Sequence, residues 1–382
     1  MAQDGPPERA RAAPLPVAAA PEDRRSGPAQ AAAARRPTLK TIAQATGLAV
    51  PTVSRALGDA PDLSADTKAR VRRVAAEMGY VPDRAGLRLR TGRTNVVALV
   101  LPTEDGVMNH TARLISSLAA ALRDTQLHLN VTPVSPAEDP LGPVRLIVER
   151  GLADAVVLNQ TRPRDARVAW LMERGFPFAT HGRTDWADRH PWFDFDNEAW
   201  ARIGVRRLAR RGRRLIAVLA PPVEQNYALD VLRGAAAGTP PGAETLVVEG
   251  VTSDDPHPVM RLAVERALAR GADGVVAASP TAAMAAAAAI EARGLRLGRE
   301  ADVFAKEAIP FLSLFRPGIL AVREDVGRAG EVLGRAVLRA IREPGRPPLQ
   351  ELEVPRDEDV AEPSPGPLPA IAEPTKASKG PA

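Results

Sequence analysis

Residues 50–57 read VPTVSRAL, with a proline in the first turn of an otherwise apolar octet and Thr52, Ser54 and Arg55 behind it. Proline is tolerated at the start of a helix, where its missing N–H has no intrahelical partner to lose, so Pro51 opens a helix here. On the N-terminal side, Thr38 can N-cap a helix carrying Leu39, Ile42, Ala43 and Ala45, and Gly47 ends it in a left-handed turn. On the C-terminal side, Ser64 caps a third helix that has Asp66 in its first turn, buries Val71, Val74, Ala75 and Met78, and stops at Gly79 and Pro82. Two short helices about a glycine turn, braced by a third, predict a helix-turn-helix over residues 37–82.

Charge supports that reading. Residues 35–93 hold twelve Lys or Arg against five Asp or Glu, an excess of seven, whereas the whole chain carries 51 against 46 and a net charge of +5. Everything outside the window is therefore slightly acidic. A basic block on a near-neutral body is the footprint of a nucleic-acid module, because neutralised phosphates release counterions. Charge alone fits a solvated face equally well; the helix pattern decides.

The chain has 382 residues, 45% of them hydrophobic, enough to bury a core in more than one domain. It contains no cysteine, which excludes disulfides, thiolate catalysis and cysteine-ligated metals. The five histidines, His110, His128, His181, His190 and His257, show no metal-ligand spacing, so neither a metal nor a cofactor is expected. Residues 1–36 and 355–382 are rich in Pro and Ala and read as disordered tails. The longest apolar run of the first tail, around Val17 to Ala20, is too short for a secretory or membrane segment, and a cytoplasmic protein is expected.

The stretch from Thr38 to Pro102, with its TVSR, GYVP and RTGRT elements, resembles without a gap the headpiece, hinge and first strand of the lactose-repressor (LacI/GalR) family. That resemblance implies a sequence-specific transcription regulator, a repressor, that binds a double-stranded DNA operator as a homodimer or tetramer. Val50 and Pro51 fall on the family positions that read major-groove base edges, and Arg55, one turn on, can make a bidentate contact with guanine. Thr38, Thr52, Ser54 and Ser64 match hydroxyl positions that contact phosphate and fix register; at Ser64 plain capping is the coexisting role. Residues 83–94 correspond to the hinge and linker, with Leu89 at the place of a minor-groove wedge. Gly86 stands where the family has alanine, Ala49 where it prefers serine, and Gly58 where asparagine is common.

From Asn95 the pattern changes to short apolar runs, among them VVALVLP, DAVVLN, LIAVLAP and DGVVAAS, separated by amphipathic helices. Continuous apolar strands alternating with helices mean buried parallel sheets and an α/β fold. About 260 residues exceed one such sheet. WFDFDNEAWARIGVRRLARRG resembles the segment where the family crosses between subdomains, which implies a two-lobed core over 95–354 like that of periplasmic sugar-binding proteins.

A ligand is then expected at strand C-terminal ends facing the cleft. Placement after strands nominates Asn159, Thr161, His181, Arg183, Asp196, Asn197, Asn226, Ser279, Lys306 and Glu307. The resemblance implies a ligand-binding role for Glu307, where the family commonly has aspartate, while Lys306 replaces an aromatic. An arginine that many sugar-responsive members carry before the glycine matching Gly234 is absent. Residues 301–326 resemble members that respond to α-glucosides, which implies a neutral sugar; Trp186 and Trp192 could stack on a pyranose, although core packing is the commoner use.

An effector-controlled regulator explains the headpiece, hinge and core together. A sugar-binding protein without a DNA role leaves residues 38–90 unused. An enzyme fits least, since there is no G-x-G-x-x-G, P-loop or G-x-S-x-G elbow.

Overall fold

A computed structural model describes residues 37–80, 92–102, 108–135 and 138–361. They fall into two compact units that divide between residues 87 and 88.

The first unit is three helices, α1 (Leu39–Thr46), α2 (Val50–Leu57) and α3 (Ala65–Glu77). The Thr38 side chain accepts from the Thr41 N–H at 3.3 Å, and the Thr38 N–H donates to Thr41 Oγ1 at 2.9 Å, closing a reciprocal cap on α1. Gly47 ends that helix at φ 69°, and Pro51 lies in the first turn of α2. Ser64 opens α3, its Oγ accepting from the Thr67 N–H at 3.3 Å. Ile42, Ala43, Val53, Ala56, Val71 and Ala75 form the buried centre. Two expectations change at the end of α3: Val74 is only half-buried, and Met78 is exposed. Met78 stands at the C-cap, where the chain already turns into Gly79 at φ 66°, so its side chain leaves the buried stripe of the helix. Residues 83–91 of the expected hinge and linker, with Leu89, lie outside the described residues, as do residues 1–36 and 362–382.

The second unit contains twelve described strands: β1 (Val96–Pro102), β2 (His128–Val134), β3 (Ala155–Leu158), β4 (Phe178–His181), β5 (Trp192–Phe195), β6 (Leu215–Leu219), β7 (Glu244–Val247), β8 (Gly274–Ala277), β9 (Asp302–Glu307), β10 (Leu320–Arg323), β11 (Gln350–Glu353) and β12 (Val360–Ala361). They build two sheets, ordered β11-β5-β4-β3-β1-β2 and β12-β10-β9-β8-β6-β7. Pairing is parallel throughout, except that β12 runs antiparallel to β10. The helices are α4 (Met108–Ala121), α5 (Leu141–Glu149), α6 (Ala166–Glu173), α7 (Asn197–Arg210), α8 (Asn226–Gly238), α9 (His257–Ala269), α10 (Pro280–Ala292), α11 (Phe311–Phe315) and α12 (Val326–Arg342). Each sheet has a buried apolar cluster on each face, which is why its central strands read as unbroken apolar runs.

The chain passes between lobes from β5 into α7, from β10 into α12 and from β11 into β12. These crossings are tied together: the Asp196 N–H donates to the Glu353 carbonyl at 2.8 Å, and the Asp325 N–H donates to Glu353 Oε1 at 3.0 Å. Close packing in the second lobe depends on missing side chains. A Cβ at Gly204 would overlap the Phe304 ring, and one at Gly234 would meet the Glu198 carbonyl across the α7–α8 contact.

Two sequence boundaries move. Thr94 already belongs to the core, its N–H and hydroxyl donating to Asp154 Oδ1 at 2.8 and 2.9 Å. Residues 357–361 do not belong to the C-terminal tail expected from residue 355, because residues 357–359 form a helical turn and β12 completes the second sheet. Asp357 holds that turn against α7 through Arg207 and Arg210. The composition of this stretch is tail-like, but its register against β10 depends on partners far away in sequence.

Candidate functional site

The outward face of α2 carries Val50, Pro51 and Arg55, all exposed, with Thr52 and Ser54 half-buried beside them. Its inward face is Val53 and Ala56. Val50, 39% exposed, is an aliphatic group turned away from a small core, the kind of surface that reads a thymine methyl. Arg55 is ion-paired with Asp62, and both side chains remain more than half exposed. Thr38 and Ser64 are exposed at helix starts and spend their side-chain oxygens on capping, so the capping role of Ser64 is observed directly.

In the second unit a cavity of about 430 Å³ opens between the lobes at the C-terminal ends of the strands. Asn159, Gln160 and Thr161 follow β3, His181 to Arg183 close β4, and Asp194 and Phe195 close β5. From the other lobe come Asn226 and Tyr227 at the start of α8, Ser279 to Thr281 after β8, and Lys306 to Ile309 at the end of β9. Tight backbone turns make the walls. Gln160 sits at φ 50°, unusual for a residue with a side chain. Gly182 sits at φ 112°, where a Cβ would lie 2.5 Å from Thr161 Oγ1. The lobes touch beside the cavity: the Asn226 N–H donates to the Thr161 carbonyl at 2.8 Å, and Arg183 reaches Asp230 of α8 at 3.3 Å.

The charges inside are internally matched. Arg183 Nε lies 2.7 Å from Asp194 Oδ2, and Lys306 Nζ lies 3.3 Å from Glu324 Oε2 and donates to Asn197 Oδ1 at 2.8 Å. The Lys306 ammonium also stands 5.2 Å from the Phe195 ring and 5.3 Å from the Tyr227 ring. Burial pushes the Asp194 carboxyl up to about 6 in spite of the Arg183 guanidinium. For Arg183 the balance goes the other way: burial opposes its charge, but Asp194 more than offsets that and holds it above its ordinary value. The carboxyl is the more deeply buried of the two, so desolvation wins there and loses at the guanidinium. Burial likewise raises Glu324, but Lys306 and the His110 ring overcome it and bring the carboxyl well below its usual range. His181 is held down to about 3, by burial first and then by His110.

Every residue nominated for the cleft lines the cavity except Asp196. That carboxylate turns back to cap α7, accepting from the Ala199 N–H at 2.9 Å. Trp186 and Trp192 are also absent from the wall. Trp186 packs against the cluster that α5 and α6 form on the first sheet, and the Trp192 indole N–H donates to the Ala187 carbonyl at 2.7 Å. The aromatic lining is instead Phe195, Tyr227 and Phe311. Sequence placement missed His110 in the first turn of α4, Asp194 inside a strand, Asp254 before α9, and Glu324, one residue past the short strand β10. The rule that ligands gather at strand ends would have found Glu324 had LAVR been read as a strand. His110 and His181, unrelated by spacing, come together with rings 5.2 Å apart.

Among the described residues no helix is long and apolar enough to cross a membrane. Residues 38–83 match the family described as bacterial regulatory proteins, lacI family, and residues 205–357 match a periplasmic binding protein-like domain. The chain is 30% identical over 347 residues to the HTH-type transcriptional regulator AglR of Rhizobium meliloti (strain 1021), covering 87% of this chain and 95% of that one. A solved transcriptional regulator CelR–cellobiose complex superposes with a TM-score of 0.61 at 25% identity, over 84% of this chain and 97% of the other. A lac repressor dimer bound to operator and the anti-inducer ONPF gives 0.70 at 19% identity, with the same coverage of each chain, and shares the fold. Headpiece, two-lobed core and full-length similarity agree: the chain belongs to the LacI family of DNA-binding transcriptional regulators.

Proposed function

We propose that the chain is an operator-binding repressor whose affinity is set by a neutral sugar of disaccharide size held between the lobes. The observation that carries this reading is the cavity itself. It is roomy, lined by amide, hydroxyl and carboxylate groups alongside Phe195, Tyr227 and Phe311, and both of its cations, Arg183 and Lys306, already face carboxylates. A sugar phosphate would meet no uncommitted positive charge among these described groups; sugar hydroxyls would meet Asn159, Asn197, Asn226 and the carboxylates. An α-glucoside is the first candidate, from the resemblance of residues 301–326. A β-linked disaccharide is the second, favoured by the similarity to the CelR–cellobiose complex.

On the DNA side, Val50, Pro51 and Arg55 read base edges, Thr38, Thr52, Ser54 and Ser64 approach phosphates, and Leu89 wedges the minor groove between paired hinges of a homodimer. Effector binding changes the lobe arrangement through the laced crossings and thereby the alignment of the hinges. Repression relieved by ligand is the family's common mode, corepression the other. A thermal-shift screen tests the effector class. At about one hundred times its Kd a true effector adds about 2.7 kcal/mol to the stability of the core. Stabilisation by α- or β-linked disaccharides is expected; stabilisation by sugar phosphates alone would overturn the reading.

A further inference from the structure

The wall of the cavity that joins the first lobe to the second crossing holds a cluster of two imidazoles and one carboxylate. Glu324 Oε1 lies 3.2 Å from His110 Nε2 and 3.8 Å from His181 Nε2. One ligand atom from each of these three residues falls within 4.8 Å of the other two, with Glu324 and His181 buried and His110 half-buried. We propose that His110, His181 and Glu324 form a binding site for a divalent first-row transition ion of the zinc class, a second ligand of the core distinct from the sugar.

The donor set selects the ion. Two imidazoles and one carboxylate suit Zn²⁺, Co²⁺ or Ni²⁺, whereas Mg²⁺ and Ca²⁺ want oxygen alone. A further observation is the state of the other ring nitrogens. His110 Nδ1 and His181 Nδ1 are both buried without a hydrogen-bond partner. Most buried polar atoms are paired, as both nitrogens of His190 are through Thr184 at 2.9 Å and the Pro191 carbonyl at 3.1 Å. The two rings stack at an interplanar angle of 13°. The contact that holds His110, Nε2 to Glu324 Oε1 at 3.2 Å, is the one an ion between the two groups would replace.

Lys306 limits the affinity. Its ammonium is 3.3 Å from the second oxygen of Glu324, so an ion on Oε1 faces a positive charge close by. Removing that charge therefore tightens the site. The ion would join α4 and β4 of the first lobe to the residue that begins the second crossing, holding the lobes in one arrangement. Whatever it does to sugar or operator affinity, those ligands must do to its own affinity in equal measure.

The test uses the full chain, stripped with chelator and titrated with Co²⁺ or Zn²⁺ alone, with neither sugar nor DNA present, so its outcome is independent of the effector reading. Expected are saturation at one ion per chain, a Kd on the order of 10 µM, and visible Co²⁺ absorption of a low-coordinate imidazole site. His181→Ala and His110→Ala each weaken binding at least about tenfold. The second stands at a half-buried position and reports even where the first lowers stability. Lys306→Met strengthens binding. Absence of saturable binding below about 1 mM, or binding unchanged in both histidine variants, overturns the proposal.

Discussion

Val71→Ala, on α3, tests whether the headpiece owes its fold to its own small core. Val71 is fully buried against Ile42, Val53 and Ala75 and takes no part in the outward face of α2. The substitution removes the equivalent of two methylenes, about 1.6 kcal/mol at 0.8 kcal/mol each. A cavity term brings the loss to roughly 2–3 kcal/mol. Some forty-four described residues at about 0.05–0.15 kcal/mol each would carry only about 2–7 kcal/mol in total, so this is a large share. In so small a unit a loss of 2 kcal/mol moves the midpoint by roughly 20 °C. Calorimetry of the full chain is the assay: the headpiece transition should drop by about that much while the core transition and ligand affinity stay in place. A headpiece midpoint moved by less than about 3 °C, or a core transition that falls with it, would refute the reasoning.

Arg55→Ala should cost about 1–3 kcal/mol of discrimination between operator and random DNA. Stability should stay within about 0.5 kcal/mol, since the Arg55–Asp62 pair is exposed; footprinting that shows undiminished selectivity contradicts the placement of α2. Lys306→Met leaves Glu324 buried without its ammonium and should lower core stability by about 3 kcal/mol in urea, with Glu324→Gln in the same chain recovering much of it. An additive cycle would show that the pair is not coupled. Folding raises the Asp194 carboxyl from 3.8 to about 6, so the native state favours its protonated form. That stabilisation is full below about pH 4 and is lost as pH rises through about 6, up to roughly 3 kcal/mol. Urea midpoints of wild type and Asp194→Asn should therefore diverge across this window; a constant difference counts against the buried, raised carboxyl.

Local signals carried the headpiece. Thr38, Gly47, Pro51 and Ser64 act within a few residues of themselves, and the structure uses Thr38 and Ser64 as caps, Gly47 as a left-handed stop and Pro51 in a first turn. Met78 failed because helical periodicity continues in sequence after the helix itself has stopped. In the core, the buried strands were legible as apolar runs, and strand ends located most of the cavity wall. β11, reading QELE, was invisible because backbone pairing to β5 makes it a strand while its side chains follow no apolar pattern. Asp196 and the two tryptophans were the right types in the wrong orientation, which only tertiary contacts decide. The meeting of His110, His181 and Glu324 depends on three distant segments and has no trace in spacing.

The most direct measurement of the central claim is the affinity of the full chain for an operator selected from random-sequence DNA, at one fixed salt concentration, with and without saturating disaccharide. The account predicts a change in operator Kd of about 5–150-fold, with nonspecific binding little affected and sugar phosphates without effect. A disaccharide that calorimetry shows bound to the chain while the operator Kd stays unchanged would contradict it.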